Sequence, residues 1–135
     1  MKKLKVFLLA FLVGVILVGC SSSKISEDFD EAALKTDAQS IVQMFCNNEY
    51  ESVVDKMSDK LKAKITAGQL KEVWEPIQNT IGKFDSVNKE GVVGNNDDNQ
   101  EMATVVEIIK CEKGKAQFKI TYNKDMKLEG LYIIN

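Results

Sequence analysis

Glu107 is the residue whose surroundings in the sequence are best suited to acid–base chemistry. It lies in the middle of Val105-Val106-Glu107-Ile108-Ile109, and strand alternation puts it on the same face as Val105 and Ile109. A carboxyl group in apolar surroundings has a raised pKa, which a general base near neutral pH requires. In the alternative, which the sequence favours, this face of the strand meets solvent and Val106 and Ile108 point into the core.

Four aromatic residues at helical or strand spacing are further candidates: Tyr50, Trp74, Phe84 and Tyr122. With Glu107 they could line a pocket between helices and sheet. The alternative is that they are ordinary core residues. If Glu107 were a base, Tyr122 or Tyr132 could supply the hydrogen-bond donor of a ketosteroid-isomerase-like reaction.

The composition excludes several classes of function. The 135 residues include no His and no Arg, so Ser–His and Cys–His catalysis is excluded and bidentate clamping of phosphates is unavailable. Once residues 1–19 are removed, 116 residues remain, with 15 Lys against 20 Asp and Glu. A chain with this net charge of −5 is repelled by a phosphate backbone, so we expect no nucleic acid as a partner.

Two further groups of residues could bind metal or form a covalent link. The run 95–99 offers oxygen ligands, but it lacks the alternation and the distal Glu of a calcium loop, so we expect a solvated turn, no metal site and no cofactor. Cys46 and Cys111 could form one disulfide in an exported domain. We expect both thiols to be free and mostly buried, because a core of this size does not need the bridge.

Cys20 carries the clearest signal in the chain. Three early lysines precede the uncharged apolar stretch 6–18, which has the length of a signal peptide and is too short to span a bilayer. The tetrapeptide Leu17-Val18-Gly19-Cys20 resembles the lipobox of bacterial lipoproteins, in which the cysteine receives a diacylglyceryl group and the signal is removed just before it. This resemblance implies a lipid-anchored protein on the outer face of the cytoplasmic membrane.

The mature chain is long enough for one domain. We expect the lipidated Cys20 and a flexible, Ser-rich tether over residues 20–33, followed by a single domain over 34–135. Apolar residues at helical spacing predict a first helix: Leu34, Ala38, Ile41, Val42 and Phe45. Shorter helical patterns follow over 50–57 and 58–65.

The next helix is marked at both ends. Thr66 and Gln69 form a capping box at its start, and Gly82 is a C-terminal cap. Pro76 lies inside the apolar stripe of this helix, so we expect a kink or a split there. The second half of the chain then changes to strand patterns.

Four strands are predicted, over 83–93, 101–112, 116–122 and 128–134. Between the first two, residues 94–99 read as a turn. Phe118, Ile120 and Tyr122 alternate along one face of the third strand. Helices followed by a meander of strands predict an α+β fold, with N-terminal helices packed on one face of a curved antiparallel sheet.

Four short segments also carry a family resemblance. The run 45–51 with Leu70–Glu75 and Ile81–Phe84, and the closing hairpin 123–132, are similar to an uncharacterised family of Gram-positive lipoproteins and secreted proteins. The family more often has Gly where Met126 stands. The resemblance implies a nuclear-transport-factor-2-like (cystatin-like) cone, in which three helices close on a curved sheet, and it supplies no catalytic residues.

These observations lead to one hypothesis and two alternatives. The hypothesis is a non-enzymatic, membrane-anchored domain that binds a small apolar ligand or a protein partner. The first alternative is the enzyme built on Glu107. The second is a structural role in which the open sheet pairs two copies into a homodimer.

Overall fold

A computed structural model describes residues 24–97 and 99–135. The predicted signal peptide, Cys20 and the start of the predicted tether lie outside these residues. The described chain forms four helices and then four strands: α1 (Glu31–Cys46), α2 (Tyr50–Asp55), α3 (Asp59–Lys62), α4 (Ala67–Ile81), β1 (Phe84–Asp97), β2 (Gln100–Cys111), β3 (Lys115–Tyr122) and β4 (Leu128–Ile134). Within this part of the chain, no helix is long and apolar enough to cross a bilayer.

Helix α1 forms because its ends and its apolar face are both well defined. The Asp30 carboxylate accepts hydrogen bonds from the backbone N–H groups of Ala32 and Ala33, at 3.0 and 3.3 Å, and so caps the first turn. The predicted apolar stripe is confirmed, since all of its residues are buried: Leu34, Ala38, Ile41, Val42 and Phe45.

The middle helical region is divided into α2 and α3, one helix more than the family resemblance implies. The division falls at Met57, where the backbone pairs with strand β4: the N–H of Ser58 donates to the carbonyl of Leu128, and the N–H of Leu128 donates to the carbonyl of Lys56, both at 2.9 Å. The Ser58 hydroxyl then caps α3 by accepting from the N–H of Leu61.

Helix α4 has the predicted caps. Both hydrogen bonds of the Thr66–Gln69 capping box are present, and Gly82 ends the helix with a φ of 84°. Pro76 does not split the helix, which continues to Ile81. Proline removes only one hydrogen bond of the ladder, and the packed apolar face holds the remaining turns together.

The four strands form one antiparallel sheet in the order β1-β2-β3-β4. Because it is a meander, the β1–β2 and β3–β4 turns lie at one end of the sheet and the β2–β3 turn lies at the other. The helices pack against the face that carries Phe118, Ile120 and Tyr122, all fully buried. The predicted α+β fold, with helices on an open antiparallel sheet, is therefore confirmed.

Strand β1 extends further than the sequence predicts. Residues 94–97 were expected to form a turn, but they continue the strand, with Asn95 opposite Met102 and Asn96 opposite Glu101. The Asn95 side chain donates a hydrogen bond of 2.7 Å to the Thr104 hydroxyl, so the strand satisfies the amide that favours a turn in isolation. Irregular pairing near Phe84–Lys89 explains the poor alternation of this strand.

The predicted tether is partly packed onto the domain. Phe29 is buried, Ile25 packs against the core, and α1 begins at Glu31, within the segment that was expected to be flexible. A polar composition predicted flexibility, but two apolar residues in this segment have a surface to pack on. The folded domain therefore begins by residue 25.

The two cysteines of the described chain are free, as predicted. Cys111 is buried, while Cys46 is only half-buried at the end of α1. Burial raises the pKa of Cys46 to about 11, so this thiol is protonated at neutral pH.

Candidate functional site

The space between helices and sheet is filled by aromatic rings. Trp74 from α4 is 1% exposed and lies 5.9 Å from Phe45 of α1 and 5.4 Å from Phe118 of β3, measured between ring centroids. Tyr50 packs edge-on against Phe45 at 6.1 Å. These contacts are those of a close-packed core.

Glu107 lies on the buried face of the sheet, and its side chain is 0% exposed. The favoured expectation that this face of β2 meets solvent was therefore wrong. Residues on both faces of β2 are apolar, so alternation alone does not distinguish them. The pairing of β2 with β3 shows which face is buried, because Glu107 stands opposite Phe118, and Phe118 lies on the face of β3 that packs against the core.

Glu107 forms a carboxyl pair with Glu90, its partner across the β1–β2 ladder. No N–H or O–H group of the other described residues donates to its carboxyl oxygens. Burial, and after it the hydrogen bond and charge of Glu90, raise the pKa of Glu107 to about 8. At neutral pH Glu107 is therefore mostly a neutral acid that donates its proton toward Glu90.

The second member of the carboxyl pair stays ionised. The hydrogen bond from Glu107 is the main cause that lowers the pKa of Glu90, and Gln39 of α1 adds a 2.7 Å hydrogen bond from its Nε2 to Glu90 Oε2. Lys35, one turn earlier on α1, contributes a favourable charge. Glu90 of β1 is thus bonded to Gln39 of α1 and stands opposite Glu107 of β2.

A second polar cluster lies nearby and consists of Asp37, Lys56 and Tyr122. The Tyr122 hydroxyl donates to Asp37 Oδ2 at 2.7 Å, and Lys56 Nζ donates to Asp37 Oδ1 at 2.6 Å. Burial, followed by the Asp37 carboxylate, raises the pKa of Tyr122, so its phenol remains protonated. The hydroxyl proton of Tyr122 is therefore engaged with Asp37.

The residues predicted to line a pocket do not converge on one cavity. Tyr50 and Trp74 belong to the aromatic core, Glu107 and Tyr122 belong to two separate polar clusters, and Phe84 alone borders a surface depression, of about 610 Å³, next to Cys46. Tyr132 is 67% exposed and cannot reach Glu107 through the sheet.

Two other surface features could bind a partner. The apolar groove has a volume of about 200 Å³ and runs between α4 and the edge strand β4, lined mainly by Ile65, Leu70, Val73, Leu131 and Ile133. The polar cavity has a volume of about 350 Å³ and is lined chiefly by Lys60, Lys64, Asn95, Asn96, Thr121 and Tyr132. Among residues 24–97 and 99–135, no cluster of three or more Cys, Asp and Glu side chains could hold a metal ion.

Sequence reasoning missed Asp37 and Glu90. Asp37 had a usable signal: it follows Leu34 by three residues and precedes Ile41 by four, so the helical period places its carboxylate at the edge of the buried stripe. Glu90 had none, because its position opposite Glu107 depends on the register of an irregular strand.

Comparison with known proteins agrees with this description. Residues 38–131 match the sequence model of a family described as "Protein of unknown function (DUF3887)". The chain belongs to this family. The fold is similar to the NMR structure of a protein from Ruminococcus gnavus ATCC 29149, with a TM-score of 0.71 and 21% identity, covering 82% of this chain and 96% of that chain.

The comparisons support the fold described for this DUF3887 domain and assign it no function. At 21% identity, the likeness to the Ruminococcus gnavus protein shows a shared fold alone. No curated protein matches the chain.

Proposed function

We propose that this DUF3887 protein is a lipid-anchored, extracytoplasmic, non-enzymatic domain that binds a protein partner at the apolar groove. The anchor is the diacylglyceryl group on Cys20, and the nuclear-transport-factor-2-like cone implied by the sequence is the scaffold. The observation that carries the binding role is the groove, whose lining is mainly apolar although it lies on the surface.

The groove favours a protein segment over a small apolar ligand. Its volume of about 200 Å³ is below the roughly 300–1,000 Å³ of typical small-molecule sites. Strand β4 is an edge of the sheet: its Leu131 and Ile133 side chains line the groove, and Tyr132 and Ile134, which alternate with them on the other face, are 67% and 52% exposed. An extended apolar segment can add to such an edge and place alternate side chains in the groove.

The arrangement of Glu107 gives less support to the acid–base alternative. A pKa of about 8 would suit a general base. However, Glu107 is fully buried opposite Glu90, the Tyr122 hydroxyl is engaged with Asp37, and aromatic rings occupy the space that a substrate would need. We therefore assign the carboxyl pair to the core and not to catalysis.

Anchoring is tested by mass spectrometry of the protein expressed in a lipoprotein-processing bacterium. The wild-type chain should begin at Cys20 and carry diacylglycerol. The Cys20→Ser chain should carry none and retain residues 1–19. Diacylglycerol on the serine variant would contradict the assignment.

Partner binding is tested by photo-crosslinking from Val73 in the groove, with Val87 on β1 as the matched control. Both valines are exposed, at 51% and 40%. We expect a defined protein adduct from position 73 and none from 87, and the purified partner should bind more weakly to Leu131→Asp than to the wild type. A second copy of this chain as the adduct would favour the homodimer, and equal labelling from both positions would contradict the groove.

A further inference from the structure

The N-terminal segment 24–29 is fixed to one end of the sheet. Lys24 and Ile25 pass so close to Gly94 of β1 that a Cβ atom at residue 94 would overlap the carbonyl of Lys24. On the same segment Asp28 pairs with Lys124, which also pairs with Glu101 of β2, both at 2.9 Å. The segment is therefore held at the end that carries the β1–β2 and β3–β4 turns.

This attachment limits the distance between the lipid anchor and the domain. Cys20 precedes Lys24 by four residues, so the two Cα atoms are at most about 14 Å apart. Strand β2 has 12 residues and extends over about 40 Å. An anchor at Cys20 therefore keeps the Gly94 end near the bilayer and leaves the β2–β3 turn, at Lys113 and Gly114, at the far end of the sheet.

The polar cavity lies at this anchored end. Asn95 and Asn96 follow Gly94 directly, and they border both the polar cavity and a neighbouring depression of about 210 Å³ that Lys24 lines. Lys24, Lys60 and Lys64 are exposed, and none of them pairs with a carboxylate among the described residues.

Two of the acidic groups at this end of the domain have other partners. Glu129, also in the cavity, accepts a hydrogen bond of 2.8 Å from Asn123, and Glu101 is paired with Lys124. In the sequence, two further aspartates stand between Asn96 and Asn99. This end of the domain therefore has no strongly positive field, so its lysines must act on individual phosphates at short range.

We propose that the polar cavity, with Lys24, binds the phosphate-bearing headgroups of the bilayer in which the protein is anchored. Ammonium groups would pair with the phosphodiester, while the Asn96 amide, the Asn95 side-chain carbonyl oxygen and the Tyr132 hydroxyl would bond to headgroup hydroxyls. The domain then stands with its β1–β2 end on the membrane and the β2–β3 turn pointing away. This inference rests on the proposed lipid anchor at Cys20.

The test uses the full lipidated protein in vesicles of phosphatidylglycerol and phosphatidylcholine. Benzoylphenylalanine replaces Asn96 in one sample and Lys113, at the opposite end, in the other. After illumination, lipid adducts are counted by mass spectrometry, and the same spectra show whether Cys20 carries diacylglycerol. We expect a phosphatidylglycerol adduct from position 96, none from 113, and no displacement by soluble glycerol phosphate.

The lysines are tested in the position-96 sample by Lys24→Gln, Lys60→Gln and Lys64→Gln together. Each lysine near an anionic surface favours membrane contact roughly fivefold, so replacing all three should reduce the contact equilibrium, and with it the yield of the adduct, on the order of a hundredfold. The control is Lys110→Gln, Lys113→Gln and Lys115→Gln together, at the far end of the sheet, which should leave the adduct unchanged. Vesicles of phosphatidylcholine alone should give a weaker adduct.

The outcomes separate this inference from the anchor on which it rests. A protein that carries diacylglycerol on Cys20 but is labelled equally at both positions, or at neither, overturns the orientation. Labelling at 96 that survives loss of the three lysines overturns headgroup binding, and displacement by soluble glycerol phosphate identifies a site for a soluble ligand instead. Absence of diacylglycerol on the wild-type Cys20 would refute the anchoring proposal itself.

Discussion

Replacing Glu107 by Gln should abolish a pH dependence of folding that the carboxyl pair creates. Gln has nearly the same shape, remains neutral, and can donate its amide N–H to Glu90 as the protonated acid does. The substitution therefore preserves packing and removes only the titration. Well below pH 4.5, where Glu107 is protonated in both the folded and unfolded states, the two proteins should have similar stability.

The size of the effect follows from the pKa. Folding raises the pKa of Glu107 from 4.5 to about 8, so the folded state binds more protons than the unfolded state between these values. The free energy of unfolding must then fall as pH rises, and the contribution is fully present below pH 4.5 and lost through pH 8. Since one pKa unit is about 1.4 kcal/mol, the total loss is on the order of 5 kcal/mol.

Urea denaturation of both proteins at intervals from pH 5 to pH 9 measures this directly. The wild-type midpoint should fall steadily, while the midpoint of Glu107→Gln should stay nearly level and exceed the wild type at pH 9. The sequence has no His, so no imidazole titrates in this range. Glu72→Gln, at an exposed position on α4, is the matched control and should retain the wild-type decline.

Glu90→Gln separates the two causes of the raised pKa. Burial is the larger cause, so this variant should retain a decline with pH, over a narrower range than the wild type. A wild-type midpoint that is level from pH 5 to 9 would refute the reasoning. An equal decline in wild type and Glu107→Gln would refute it as well, because the titrating group would then lie elsewhere.

Substitutions at Trp74, Gly94 and Thr66 test the packing and the helix cap. Trp74→Ala should cost about 3–5 kcal/mol by thermal or urea denaturation, whereas Trp74→Phe should cost much less because the buried indole N–H has no acceptor among the described residues. Gly94→Ala should cost about 1–3 kcal/mol of stability and should expose Lys24 and its neighbours to proteases. Gly91→Ala on the same strand is the control, because its added Cβ meets no atom within 4 Å and should not expose them. Equal cleavage of the two variants would contradict the contact between Lys24 and Gly94. Thr66→Ala should cost about 1 kcal/mol through loss of the capping box, and an unchanged midpoint would mean that the first turn of α4 is not stabilised by it.

Local features of the sequence were sufficient to predict most of the elements. The apolar stripe from Leu34 to Phe45 predicted α1, and the alternation of 116–122 predicted β3. The Thr66 capping box and Gly82 predicted the two ends of α4. These signals involve residues within a few positions of one another, and helix caps and strand alternation depend on little else. The α+β class followed from their order along the chain.

The positive φ of Met126 shows how local and family information can agree. Met126 has a φ of 62°, in the left-handed region that favours glycine. The family resemblance noted in the sequence implied Gly at this position, and the left-handed backbone of the β3–β4 turn is consistent with that expectation. Here the turn geometry is retained with a methionine, whose side chain packs partly against the core.

Long-range pairing decided what the sequence could not. Both faces of β2 are apolar, so only the register that sets Glu107 opposite Phe118 and Glu90 makes the Glu107 carboxyl buried. The same register continues β1 through Asn95 and Asn96, because a partner strand satisfies backbone groups that a turn would leave to water.

The candidate sites divide in the same way. The sequence by itself established that the chain has no His and no Arg. It also predicted that the thiols are free and that Cys20 is the point of lipid attachment, because composition and short motifs can be read without a fold. Only the tertiary structure shows that Asp37 bonds to Tyr122, that aromatic rings fill the space of the predicted pocket and that Lys24 lies beside Gly94. Each of these contacts joins residues that are far apart in the chain, and the free energy of packing, which acts between elements, selects them.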